Sequence, residues 1–161
     1  MRGIISTAVL TFITYILFSG STKPFDLVTG IIVAVGVGLL VGKYLVQNDA
    51  KALNPLRWLW GVIYFIWYML VAETKAHLDV MMRVITGKYE AGIVKVPIEV
   101  KTDYAKTLIA NSITNTPGTV VVDLDDKYMY VNWINVITEE PEEAKKKICE
   151  DFERFAKKIF E

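Results

Sequence analysis

At 161 residues and zero net charge, the chain is 53% hydrophobic with a mean hydropathy of +0.34. A soluble domain holds roughly 45–50% apolar residues, so a purely water-facing globule is excluded. Residues 1–72 hold five of the eighteen Lys/Arg and two of the eighteen Asp/Glu. The remainder is charge-rich and slightly acidic, without the basic stripe that phosphate neutralisation requires, which excludes nucleic acid as a partner.

In chain order, the first element is an uncharged run from Gly3 to Phe18. Arg2 before it, and Ser19, Gly20 and Ser21 after it, resemble a signal peptide. Two further apolar runs favour an uncleaved membrane segment. The expected architecture is a transmembrane domain over 1–72 with three membrane-spanning helices, at about 3–19, 26–46 and 55–72. A small α+β domain follows. In the second span Gly30, Ala34, Gly38 and Gly42 recur every four residues. They form a groove of small side chains that lets another helix approach closely.

The third span, LRWLWGVIYFIWYML, carries aromatic residues along its whole length. Trp58 and Trp60 suit an interfacial belt. Tyr64, Trp67 and Tyr68 share a face with Trp60 at greater depth, where a hydroxyl or indole N–H needs a partner that lipid cannot supply. That face is expected to meet protein. None of the spans has an ionisable residue in its middle, so the chain alone is a poor transporter. Asp26 and Glu73 only border spans two and three.

Residues 73–88 read as an amphipathic juxtamembrane helix. Leu78, Met81, Met82 and Ile85 lie on one side, and a Lys75, Asp79, Arg83 ladder on the other. It either extends span three or lies along the interface. His77 is read as an exposed or interfacial residue. Basic residues flank the third span on both sides. The later ones, with the lone unpaired Cys149, favour a cytoplasmic tail.

The soluble domain, 89–161, reads as β-α-β-β-α. Gly92 to Val100 alternates as a strand, with Pro97 marking an edge. Thr102 caps a helix to about Ser112. Thr119 to Leu124 and Tyr128 to Ile137 form a hairpin about Asp125, Asp126 and Lys127. One long helix follows Pro141, with Ala144, Ile148, Phe152, Phe155 and Ile159 as its buried stripe. Such a core is small enough to lean on membrane or partner subunits.

The stretch ANSITNTPGTVVVDLDD, Ala110 to Asp126, invites a chemical reading that its residues do not sustain. It has neither the glycines nor the Lys-Ser/Thr of a phosphate loop, and no glycine or closing glutamate for a calcium loop. With one cysteine and one histidine in the chain, a disulfide, a Cys/His metal site and a serine-histidine pair are all unsupported. No catalytic, cofactor-binding or metal-binding residues are expected. Pro117, Gly118 and Thr119 read as a structural type II turn.

The same stretch, followed by a short hairpin and YVNWI and preceded by three apolar spans, resembles the E-type subunit of the multisubunit Mrp-type sodium/proton antiporters. Asn115 stands where bacterial members often have leucine, and Asn132 where a histidine is common. Related modules occur in archaeal membrane-bound hydrogenases and sulfane reductases. The resemblance implies a non-catalytic accessory subunit of the cell membrane. It would need no cofactor, and its partners would be the lipid bilayer and other membrane subunits of an antiporter or hydrogenase-type complex. The alternative is a free-standing membrane-anchored regulator whose tail binds a soluble partner.

Overall fold

The structure, a computed structural model, describes residues 3–46 and 48–161. It divides into two compact units, the first ending at Pro55 and the second running from Leu56 to Glu161.

The first unit is a helical hairpin of α1 (Ile4–Ser19) and α2 (Pro24–Leu45), followed by a single turn, α3 (Asp49–Ala52). Pro24 starts α2 with φ preset. The Asp49 carboxylate accepts hydrogen bonds from Gly3 N at 2.8 Å, Ser6 N at 3.0 Å and Ser6 Oγ at 2.6 Å. It thereby satisfies N–H groups that the first turn of α1 cannot pair internally, and sits at the positive end of that helix dipole. These bonds, the Ser6 hydroxyl foremost, hold its pKa below the usual carboxylate range.

The second unit begins with α4 (Pro55–Trp67), passes through a π-helical turn at Tyr68–Ala72 and continues as α5 (Glu73–Thr86). Of the two arrangements open to residues 73–88, the helix runs on from 55–72 without a break, joined to it by the π turn. Among the described residues, two helices are long and apolar enough to cross a membrane, Pro24–Leu45 and Pro55–Thr86. The expectation of three full-length spans is corrected on that point: α1 has only 16 residues, about 24 Å of helix against a hydrocarbon core of about 30 Å.

The rest of the second unit is β1 (Gly92–Pro97), α6 (Asp103–Asn115), β2 (Thr119–Leu124), β3 (Tyr128–Trp133), α7 (Pro141–Ile148) and α8 (Glu150–Phe160). The sheet is antiparallel with order β1-β3-β2, so Pro97 lies on an edge strand, where a missing N–H costs least. β1 and β3 end earlier than their alternating patterns suggest. Ile98 N still bonds Lys127 O at 2.9 Å. One sheet face carries Val94, Val96, Met129 and Val131, packed with Ile109 and Ile113 of α6 and with Ala144, Phe152 and Phe155 of the last two helices.

The final helix is also broken where a single helix was expected. Cys149 leaves helical geometry (φ −131°, ψ −9°), with no proline or glycine to mark the place. The break keeps both Ile148 and Cys149 buried. Burial pushes the Cys149 thiol up to about 12, so it stays protonated and inert at neutral pH. Glu153, almost fully buried, is paired with Lys157 Nζ at 2.5 Å and Lys145 Nζ at 3.3 Å. Both lysines also reach Glu99, tying α7 and α8 to the segment after β1.

Two turns shape the sheet. At the end of α6, Thr119 N bonds Thr116 O at 3.3 Å, and Gly118 has φ +91°, which is the geometry of a type II turn with Pro117 at its second position. At the hairpin, the Asp125 carboxylate accepts from Lys127 N at 2.7 Å and Tyr128 N at 2.8 Å. These backbone bonds hold its pKa below the ordinary carboxylate value.

Gly118→Val should destabilise the second unit by about 2 kcal/mol or more, since the left-handed conformation costs an L-residue about 1–2 kcal/mol and a Cβ there would lie 2.9 Å from Ile134 Cγ2. Gly87→Ala, at φ +65° with open space around it, should cost only about 1 kcal/mol. Thermal unfolding of the full chain in mild detergent compares the two. For Asp125, the lowered folded pKa means that its stabilisation is present above the unfolded carboxylate value and is lost as pH falls through the folded one. The unfolding temperature should therefore drop more steeply below about pH 4 in the wild type than in Asp125→Asn.

Candidate functional site

The side chains singled out by sequence gather in three places. In the first unit, the groove of α2 faces α1. A Cβ on Gly38 would lie 2.9 Å from Ile4 O and 3.1 Å from Ala8 Cβ, one on Gly42 would lie 2.8 Å from Gly3 O, and one on Gly30 would lie 2.8 Å from the Tyr15 ring. Ala34 is buried in the same stripe. Gly36, off the stripe, has nothing near it. The groove is thus occupied by this chain's own first helix, and the close backbone approach depends on the missing side chains. Outside the seam the hairpin is apolar and exposed: Val35 is 49% and Leu40 75% accessible.

In the second unit, the aromatic face of α4 packs on α8 and α6. The Phe155 ring lies 6.4 Å from Trp60, 5.3 Å from Tyr64 and 5.1 Å from Trp67, centroid to centroid. Phe152 meets Trp67 edge-on at 6.0 Å and Tyr68 at 6.0 Å. Ser112 Oγ donates to Leu108 O at 2.6 Å, which commits its one proton. The Tyr64 hydroxyl, in a short contact with the same oxygen, is therefore the donor. Tyr68 and Thr116 complete the polar part of the seam at longer range.

The Pro117, Gly118, Thr119 turn lies beside this seam. Thr119 Oγ1 donates to Ile113 O at 2.7 Å and Thr116 Oγ1 to Ser112 O at 2.7 Å, so the hydroxyls that suggested a ligand loop close the carboxyl end of α6. Val80 of α5 lies over the turn, 3.2 Å from where a Gly118 Cβ would be. The three aspartates are occupied locally. Asp123 accepts from Leu124 N, Asp125 from Lys127 N and Tyr128 N, and Asp126 reaches Lys106. His77 is exposed and bonds Glu73 O at 2.8 Å.

Two features escape sequence reasoning. The only signal for Asp49 is an acid beside an N-capping Asn48 in a short loop, and its partners lie 43 and 46 residues away. The π turn has no sequence signature. Its effect can be read from burial. The partly covered stripe runs through Trp60, Tyr64, Trp67 and Val71, then Ala76, Val80 and Arg83, one residue later than an unbroken 3.6-residue period would carry it. Without the extra residue, Lys75 and Asp79 would turn inward.

The comparisons with known proteins agree on one lineage. A family model described as MNHE, Na+/H+ ion antiporter subunit, matches residues 8–159. The E-type subunit of the Na(+)/H(+) antiporter of Alkalihalophilus pseudofirmus is 30% identical over 132 residues, 80% of each chain. The E1 form of that subunit from Staphylococcus haemolyticus is 33% identical over 148 residues, 86% of each. Among solved structures, a chain of the membrane-bound sulfane sulfur reductase, an archaeal respiratory membrane complex, superposes with a TM-score of 0.86 at 29% identity, covering 99% of this chain and 100% of that one. With the family model spanning nearly its whole length, the chain belongs to the Na+/H+ ion antiporter subunit family.

Proposed function

We propose that this chain is an accessory, non-catalytic subunit that assembles or stabilises the membrane arm of an ion-translocating complex, the ions themselves moving through larger partner subunits. The observation that carries this reading is the interior of the hairpin. From Gly3 to Phe18 and from Leu27 to Gly42 there is no ionisable acid, base or histidine, whereas ion and proton paths through a bilayer use such groups at depth. What the hairpin offers instead is an outward apolar surface on a tightly packed pair of helices, suited to docking against other membrane helices. Packing Gly30, Ala34, Gly38 and Gly42 against α1 would serve to hold that surface in one shape.

The likeness to a chain of an archaeal respiratory complex over 99% of this chain supports a place in a complex whose antiporter-like arm is joined to a redox arm. The chain is multi-pass through its hairpin, the short α1 spanning beside α2, and the α+β domain faces the cytoplasm. A single protonated, buried Cys149 is in keeping with a reducing compartment.

Tagged full-length chain, extracted from native membranes in mild detergent, should bring other membrane subunits with it. Recovery of the chain alone would refute the accessory-subunit reading. Gly38→Leu, which forces α1 and α2 apart, should cut co-purification at least several-fold and leave the tryptophan fluorescence of the second unit unchanged, because Trp58, Trp60, Trp67 and Trp133 all lie there.

A further inference from the structure

We propose that the helix running from Pro55 to Thr86 lies along the membrane surface, with its outer face in the interfacial lipid, and does not cross the bilayer. By length and composition it passes as a span, but what covers its inner face rules that out. The α+β domain touches this helix at three places along its length. Arg57 Nη1 donates to Ile159 O at 2.9 Å near its start, Phe155 and Phe152 cover its middle, and the Gly118 turn meets Val80 near its end. The first and last of these contacts lie about 35 Å apart at 1.5 Å per residue.

If the helix crossed, the domain would be drawn into the hydrocarbon beside it. Lys158 Nζ sits 3.8 Å over the Trp60 ring, and the Arg154 guanidinium lies 5.7 Å from Phe155, the residue at the centre of the stack. Asp151 and Glu150 are on the same short α8. Each such charge at the bilayer centre costs on the order of 2.5–3.5 kcal/mol even on the mildest scale, and the open edges of the sheet would have no water to bond.

The outer face is made for lipid all along its length. Val62, Ile66 and Met69 lie opposite the covered stripe in the first half, and each is about half exposed or more. After the π turn the opposite face is Leu78, Met81 and Ile85, also exposed. Because the covered stripe and the apolar stripe shift together by one residue, the apolar side stays continuous over all 32 residues, about 48 Å. That is a poor match to a 30 Å core and a good one to a helix lying flat. Lys75 and Asp79, both exposed, fall on the flank, at headgroup height.

The bilayer is the occupant within reach. Only residues 46–54 separate this helix from the apolar α2. The charge pattern agrees: with this helix flat, Lys43, Lys51, Arg57, Lys75, Arg83 and Lys88 all lie on one side of the membrane and only Lys23 of the inter-helix turn on the other, which is the asymmetry expected of a cytoplasmic face. A crossing helix would divide those cations between the two sides.

The test reads depth. Val62→Cys, Met69→Cys and Met81→Cys, each on the exposed face, are spin-labelled in the full chain in vesicles of phosphatidylcholine and anionic phosphatidylglycerol. Depth comes from collision rates with oxygen and a water-soluble nickel chelate, with a Val35→Cys probe in α2 as the deep reference. The unsubstituted chain controls for Cys149, which is buried. Three depths equal within about 5 Å, all just below the headgroups, are expected. Depths that differ by about 28 Å between positions 62 and 81, as for a helix along the membrane normal, would overturn the proposal. So would shielding of all three probes from both reagents, which would mean that protein covers the face. A Val35 probe found in water would overturn membrane residence itself, a failure distinct from any loss of partner subunits.

Discussion

Phe155 touches three rings of α4 at once, and the arrangement of the second unit follows from that stack. A domain with only three short strands and three short helices has little interior of its own. Val94, Val96, Ile109, Met129 and Val131 fill the layer between sheet and helices, but Phe152 and Phe155 project beyond it and require a second wall. Trp60, Tyr64, Trp67 and Tyr68 supply it. Each aromatic pair contributes on the order of 0.5–1.5 kcal/mol beyond area burial, and several share the same two phenylalanines. The hydroxyl of Tyr64 fixes the sliding coordinate of this seam, since it must find Ser112.

The Pro-Gly turn gains its meaning from the same constraint. α6 has to stop where Ser112 and Thr116 meet Tyr64 and Tyr68, and the chain must then reverse into β2 beneath Val80. A type II turn at Pro117-Gly118 ends the helix there, and Thr119 closes its last open carbonyls through Ile113 O and Thr116 O. Polar side chains that look like a ligand cradle in one dimension are consumed by helix termination in three. The three aspartates beyond it are likewise committed to turn geometry or surface pairing.

Much of this was legible in the sequence, for definable reasons. Alternation marked β1 as a strand with two unlike faces, Thr102 announced the start of α6 through its bond to Ala105 N, and φ-permissive Gly118 announced the turn. Buried hydroxyls at Tyr64 and Tyr68 implied polar partners, though nothing local could name Ser112, 48 residues away. What stayed hidden depends on direction or distance. An apolar count over 55–72 cannot see the π turn that carries the covered face on into α5. The Asp49 cap depends on chain reversal, and the break at Cys149 on the packing of two neighbouring side chains into one core.

The π turn at Tyr68–Ala72 carries a further consequence for how such a chain can change over time. It is the geometry that results when one residue is added to a helix without altering its ends. Removing any one residue between 68 and 72 would restore ordinary winding and, in the same stroke, rotate α5 by about 100°, presenting Lys75 and Asp79 to the domain and Val80 to the outside. Substitutions along this helix can be absorbed one at a time, but its length cannot drift by a single residue in either direction. The segment is therefore a ruler as well as a wall, and gaps in relatives should fall outside it, at the loops on either side.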